Sequence, residues 1–192
     1  MRVAFTIEQC WHDVPGGTGV AGIEMARALA ARGDVELIGV SAKHDGPPPA
    51  PWEPPIPVAQ VALPRLLMYE GWHRFRRPDV QKATGPVDVI HATTIAMPPR
   101  TRPLVVTIHD LAFLSEPGNF TRRGVRFFRK GLALAWREAD LVMCPSKASV
   151  DQCRDAGFEP SRLRLVPMGV HVHPAPADAV TEVRERHGLQ RD

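Results

Sequence analysis

Short unbroken apolar runs alternate along this chain with longer stretches in which apolar residues return every third or fourth position. The first pattern suits a strand covered on both faces, the second an amphipathic helix. RVAFTI (residues 2–7) opens as a strand, and VAGIEMARALAARG (20–33) follows as a helix in which Ile23, Ala26 and Ala30 recur at helical spacing and Gly33 supplies the stop. DVELIGVS (34–41) predicts the second strand, whereas HDGPPPAPWEPPIP (44–57) holds too many prolines for either regular element and reads as a surface loop. RLLMYEGWHRFRR (65–77) predicts a helix, VDVIHA (87–92) and PLVVTIHD (103–110) two strands, and TRRGVRFFRKGLALAWREA (121–139) a long helix. DLVMCPS (140–146) runs as a strand into the helix KASVDQCRDAG (147–157), and LRLVPMGV (163–170) is the last strand before the polar segment PADAVTEVRERHGLQRD. This alternation implies an α/β fold: a Rossmann-like, doubly wound, mostly parallel sheet with helices on both faces. Residues 1–174 are expected to form one domain, with 175–192 beginning an interdomain linker or helix.

Composition narrows the picture without changing it. A chain of 192 residues, 44% of them hydrophobic, can bury one sizeable core. Its net charge of +3 is far from the dense Lys/Arg stripe of a nucleic-acid binder, so no such partner is expected. Cys10, Cys144 and Cys153 are odd in number and lack the spacing of a zinc site, which predicts reduced thiols in a cytoplasmic protein and no metal. MRVAFTIEQC enters a strand without the apolar core of a signal peptide, and no run of about 18 or more apolar residues occurs.

In a doubly wound sheet ligands bind beyond the carboxyl ends of the strands, so the residues delivered there matter most. RVAFTI leads to His12, Asp13 and the glycine-rich stretch Gly16, Gly17, Thr18 and Gly19; VDVIHA delivers His91, PLVVTIHD delivers His109 and Asp110, and DLVMCPS delivers Ser146. A lone histidine is commonly a hydrogen-bonded structural residue, but several on one rim point to a ligand. Gly17-Thr18-Gly19-Val20-Ala21-Gly22 spells the G-x-G-x-x-G of a dinucleotide turn, yet its context is wrong. Such a turn places its first glycine directly after the strand, and here EQCWHDVPG intervenes; it also needs a carboxylate at the end of the second strand, where IGVSAK has none. No Gly-Lys-Ser/Thr follows, which excludes a P-loop. What survives is a set of glycines leading into a helix start, whose amides attract a phosphate. A nicotinamide-dependent oxidoreductase and a non-catalytic binding module stand as the alternatives.

GGTGVAGIEMARALAARG, DVIHA, VVTIHDLAFLSEPGNF, READLVMCPSKAS and RLRLVPMGV, in this order and spacing, resemble the N-terminal half of a family 4 retaining glycosyltransferase of the GT-B fold. The resemblance spans nearly the whole chain. It implies two Rossmann-like domains facing across a cleft, this one holding the acceptor and the other, absent from this sequence, most of a nucleotide-diphosphate-sugar donor. Carried onto this chain, Gly16, Gly17 and Gly19 face the donor diphosphate and acceptor, His109 lies near the transferred sugar as the catalytic position, and Ser146 opens the helix after CPS. His12, Asp13, His91 and Asp110 complete the expected cleft. Val20 stands where many members carry a basic or aromatic residue, and Pro167-Met168-Gly169-Val170-His171 departs from the usual PNGVD. The implied reaction is retaining transfer of a hexose to an acceptor hydroxyl, with no cofactor and no divalent metal, and the isolated chain is expected to be inactive or nearly so.

One further pattern concerns location. In TRRGVRFFRKG, Arg122, Arg123, Arg126, Arg129 and Lys130 crowd around Val125, Phe127 and Phe128. This suits either a core helix with solvated arginines or peripheral contact with an anionic membrane at the inner face of the plasma membrane, to which Trp72, Phe75 and the arginines of residues 65–77 add.

Overall fold

The computed structural model describes residues 1–169 and 174–189. Its strands are β1 (Arg2–Thr6), β2 (Glu36–Ser41), β3 (Val58–Gln60), β4 (Val89–Ala92), β5 (Leu104–Thr107), β6 (Leu141–Cys144) and β7 (Leu163–Leu165). They form one sheet in the order β3-β2-β1-β4-β5-β6-β7. Every pairing is parallel, so the sheet is wholly rather than mostly parallel. The order runs outward in both directions from β1 and β4, which are in register at Val3–Val89 and Phe5–His91. The direction of winding therefore reverses between these two strands.

The helices are α1 (Gly16–Ala31), α2 (Arg65–Glu70), α3 (Gln81–Thr84), α4 (Ala112–Ser115), α5 (Arg122–Glu138), α6 (Lys147–Asp155) and α7 (Ala177–His187). Burial along β1 shows why the apolar runs are unbroken. Val3, Phe5 and Ile7 pack with Ile23 and Ala26 of α1, while Ala4 joins a second cluster containing Met68, Trp72, Ile90 and Leu134. Alternate residues of one strand thus enter two cores, which requires apolar side chains on both faces.

Four local expectations change. Helix α1 begins at Gly16, so the glycines form its first turns instead of a loop before it; Gly16 has φ +59°, a conformation that favours glycine. The proline-rich stretch ends in the unforeseen β3, an edge strand that extends beside β2 through Gly39 N–H donating to Pro57 O and Val61 N–H to Ser41 O. Prolines are tolerated beside an edge strand because no further partner needs their missing N–H groups. The helix expected at 65–77 widens into a π turn over Gly71–Phe75 and stops at Arg76, φ +53°. There the Arg76 guanidinium donates to the carbonyls of Trp72, Met97 and Pro98 and pairs with Glu138. Finally, the last strand ends at Leu165; Val170 and His171 lie outside the described residues. Within the segment expected to begin a linker or helix, α7 buries none of its residues.

Candidate active site

Beyond the carboxyl ends of β1, β4 and β5 lies a cavity of about 1520 Å³. It occupies the point where the strand order reverses, the place at which open α/β sheets receive ligands. Gln9 and His12 reach it from the segment after β1, Thr94 and Ile95 from the segment after β4, and His109 and Asp110 from the segment after β5. The opposite wall comes from the π turn and α5, with His73, Arg74, Phe127 and Lys130.

A buried polar lattice ties the two central strand ends together. Thr93 N–H donates to Thr6 Oγ1 at 2.9 Å, the Thr93 hydroxyl donates to Thr6 O at 2.7 Å, and Gln9 Nε2 donates to Thr93 Oγ1 at 2.9 Å. Gln9 lies against α1 at Gly22, where a Cβ would come within 2.7 Å of its amide nitrogen. The last glycine of the G-x-G-x-x-G spelling therefore makes room for a side chain of the chain itself.

His109 is fixed by this lattice. Its Nε2 lies 3.1 Å from the Thr93 carbonyl, which can only accept, so Nε2 carries a proton and donates. Its own carbonyl accepts from the Ser149 hydroxyl at 2.7 Å. The ring is half-buried and lines the cavity. His73, almost fully buried, stacks on Phe127 at 4.4 Å with an interplanar angle of 15°. Met97 N–H donates to its Nε2, which places the proton on Nδ1, turned towards the Ile95 backbone. Burial, aided by the nearby charges of Arg76 and Lys130, pushes His73 down to about 4 and keeps it neutral. His12 also lines the cavity with a buried, unpartnered Nε2; burial first and Arg65 second lower its pKa, and Glu8 and Asp13 oppose them. Buried polar atoms left without partners are uncommon in folded proteins.

Of the residues singled out in the sequence, His12, Thr18, His109 and Asp110 line the cavity. Asp110 is exposed, and its carboxylate accepts from Ala112 N–H at the start of α4. Gly16 and Gly17 are exposed, with no atom within 4 Å of where a Cβ would stand, and no side chain caps the helix they begin. Asp13 is exposed nearby but does not form the wall.

Three placements correct the sequence reading. His91 does not reach the cavity: it is buried, lies 2.9 Å from the Thr107 hydroxyl through Nε2 and meets Phe5 edge-on at 5.1 Å. Burial, with His109 nearby, pushes it down to about 4. Ser146 also stays off the wall; it caps α6, accepting from Ser149 N–H at 3.0 Å, and so holds the residue that bonds the His109 carbonyl. Gly19 is buried under the proline-rich segment, where a Cβ would press on Pro15 at 2.6 Å and on the Trp52 ring at 3.3 Å. Its role is packing. Gln9, Thr93 and His73 were missed. The two threonines straight after β4, Thr93 and Thr94, held a signal, but His73 was hidden in a segment whose wide turn no periodicity announces.

The family model for Glycosyltransferase Family 4 matches residues 15–173. The chain belongs to that family. D-inositol 3-phosphate glycosyltransferase of Xylanimonas cellulosilytica is 28% identical over 209 residues, covering 92% of this chain and 49% of that protein. Crystal structures of Anabaena Alr3699/HepE share the fold: the complex with UDP and glucose matches with a TM-score of 0.63 and the complex with UDP-glucose with 0.61, each at 21% identity, covering 98% of this chain and 50% of HepE. The chain thus spans about half the length of the proteins it matches. Its fold is the Rossmann-like α/β architecture also found in HepE. Membership of this family sets aside the nicotinamide-dependent oxidoreductase.

Proposed function

We propose that this chain is the acceptor-side half of a retaining enzyme that moves a hexose from a nucleotide diphosphate sugar to an acceptor hydroxyl, with no divalent metal. The observation that carries this reading is the cavity at the reversal point, into which His12, Thr18 and the anchored His109 project beside the open start of α1. Departure of the leaving group places negative charge on a diphosphate, and preorganised amides or cations lower that barrier. The first amides of α1 at Gly16 and Gly17 supply such a surface from this side, and the anchored His109 ring faces the substrate region. Cations from the other half act across the cleft. HepE is bound to UDP-glucose, or to UDP and glucose, in the related structures, which supports a nucleotide sugar as donor.

The same reading places the enzyme on the cytoplasmic side, with peripheral contact to anionic membrane through exposed Leu66, Leu67 and Phe75 beside Arg74. Phe127 and Phe128 of α5 do not serve this contact, because they pack inward against His73 and Phe113. Among the described residues no helix is long and apolar enough to cross a membrane.

The test is transfer of radiolabelled hexose from a UDP-hexose in the presence of a chelator. A two-domain polypeptide carrying this chain should transfer with retention at the anomeric carbon, read by proton NMR, and the 192-residue chain alone should not. Ordinary turnover by the chain alone, or an inverted product, contradicts the proposal.

A further inference from the structure

Helix α6 turns two residues inward, Ser149 and Cys153, four positions apart on one stripe. The Ser149 hydroxyl donates to the His109 carbonyl at 2.7 Å. Cys153 meets Cys144, at the end of β6, with the two sulfurs 3.8 Å apart. Next to Cys153, Gln152 Oε1 accepts from Leu111 N–H at 3.1 Å, so the helix grips the segment after β5 on both sides of Asp110. One short helix thus carries a hold on His109 and one member of a pair of thiols in contact.

The third cysteine shows what an inert buried thiol is like in this fold. Cys10 is a free thiol to which no sulfur among the described residues is bonded, and burial, with Glu8 nearby, pushes it up to about 11. At Cys144 the balance differs: the Cys153 thiol beside it draws it below its ordinary value against the upward push of burial, while Cys153 itself is raised. Cys144 is therefore the better nucleophile and Cys153 the thiol placed to resolve what forms on it.

We propose that Cys144 and Cys153 are a reversible oxidation site, closing to a disulfide that draws α6 towards β6 and loosens its hold on His109. The oxidant is a hydroperoxide. The Cys144 thiolate attacks one peroxide oxygen, the O–O bond breaks, and the departing hydroxide takes up the proton that Cys144 lost. The Cys153 sulfur then attacks the sulfenic acid, the S–O bond breaks, and a second water leaves with the Cys153 proton. Two thiols are oxidised to one disulfide and one hydrogen peroxide is reduced to two waters. Both sulfurs are buried, and they become reachable when the last turn of α6 opens, the turn that holds Cys153 and runs on to Gly157 at φ +89°.

The consequence for His109 follows from distance. A disulfide holds its sulfurs about 2.05 Å apart, so about 1.8 Å of the present separation has to close. Ser149 sits one turn before Cys153 on the same stripe and moves with it, and a 2.7 Å hydrogen bond stretched by about 1 Å is lost.

The folded chain is treated with hydrogen peroxide, alkylated in denaturant and digested with trypsin, which cuts after Lys147 and so separates the two cysteines into peptides 138–147 and 148–154. The expected product is these two peptides joined, two hydrogens lighter than the separate thiols and released by dithiothreitol, with Cys10 recovered as a free thiol. Recovery of Cys144 and Cys153 unlinked, as thiols or sulfinic acids, overturns the proposal, and so does linkage that appears only in urea. In the oxidised chain the NMR amides of His109, Asp110 and Leu111 should shift well beyond those of β2, which lies four strands from β6. A linked chain in which they move no more than β2 overturns the effect on His109. These readouts need no variant that has to fold and no sugar transfer. In the two-domain polypeptide peroxide should lower kcat on the order of tenfold or more, dithiothreitol should restore it, and Cys144→Ala should abolish the response. Equal inactivation of parent and variant overturns the control of activity, whereas absent transfer before oxidation counts against the enzymatic reading alone.

Discussion

Acidification should unfold this domain through its buried imidazoles before its carboxylates take part. His91 and His73 are both held down to about 4 from an ordinary 6.5, chiefly by burial. A histidine whose folded pKa is depressed leaves stability intact above about pH 6.5, and stability falls as pH drops from there towards the folded value, because the unfolded chain takes up protons that the folded chain refuses. At about pH 4.5 the unfolded ring is charged and the folded ring still largely neutral, a difference of roughly 2 to 3 kcal/mol per histidine and about 5 kcal/mol for the pair. That is a large share of the roughly 5–15 kcal/mol that holds a domain together. Paired carboxylates such as Asp140 and Glu138 have lowered pKa values, so their loss belongs mainly to more acidic conditions. The perturbation is His91→Gln, which removes the titrating group and keeps an amide near the Thr107 hydroxyl. Urea unfolding followed by circular dichroism at about pH 7.5 and about pH 4.5 gives two stabilities for each protein. The variant should be weaker at the higher pH but lose about 2 to 3 kcal/mol less on acidification. Identical losses in the two proteins would mean that His91 is not held neutral by the fold, and would refute the reasoning.

Other predictions follow from close approaches. Gly17→Leu should leave thermal stability within about 1 kcal/mol, since nothing stands near its Cβ position, whereas Gly19→Leu should destabilise by more than about 2 kcal/mol because Pro15 and the Trp52 ring occupy the space. Gly131→Ala would drive a methyl group into the Ile95 carbonyl at the cavity wall, and should lower the melting temperature by several degrees while shifting the amide resonances of residues 94–96. Arg76→Met removes donors from the Met97 and Pro98 carbonyls and from Glu138, and should cost about 3 kcal/mol in urea unfolding.

The sheet was legible because each central strand is apolar on both faces, as β1 shows by sending Phe5 and Ala4 into different cores. The rim was partly legible: a histidine straight after a strand, as in VVTIHD, marks the edge of the sheet, and His109 lines the cavity. The same rule failed for His91, which precedes the strand's last residue and is drawn under Thr107 rather than out past it. Spacing gave no warning of β3, whose hydrogen bonds come from an edge that tolerates neighbouring prolines, or of the π turn that brings His73 to the wall. The glycines illustrate the limit most clearly. Within one six-residue spelling, Gly17 is open, Gly19 is packed under Trp52 and Gly22 clears a path for Gln9, three physical reasons that a pattern of letters does not distinguish.

The central claim is that the cavity between the ends of β1, β4 and β5 is where sugar transfer occurs, with His109 facing the substrate. The most direct measurement is kcat for hexose transfer by the two-domain polypeptide carrying His109→Ala, with urea unfolding as a control for folding. The account predicts a fall on the order of a hundredfold or more with the fold retained. A kcat within about threefold of the parent in a folded variant would contradict it.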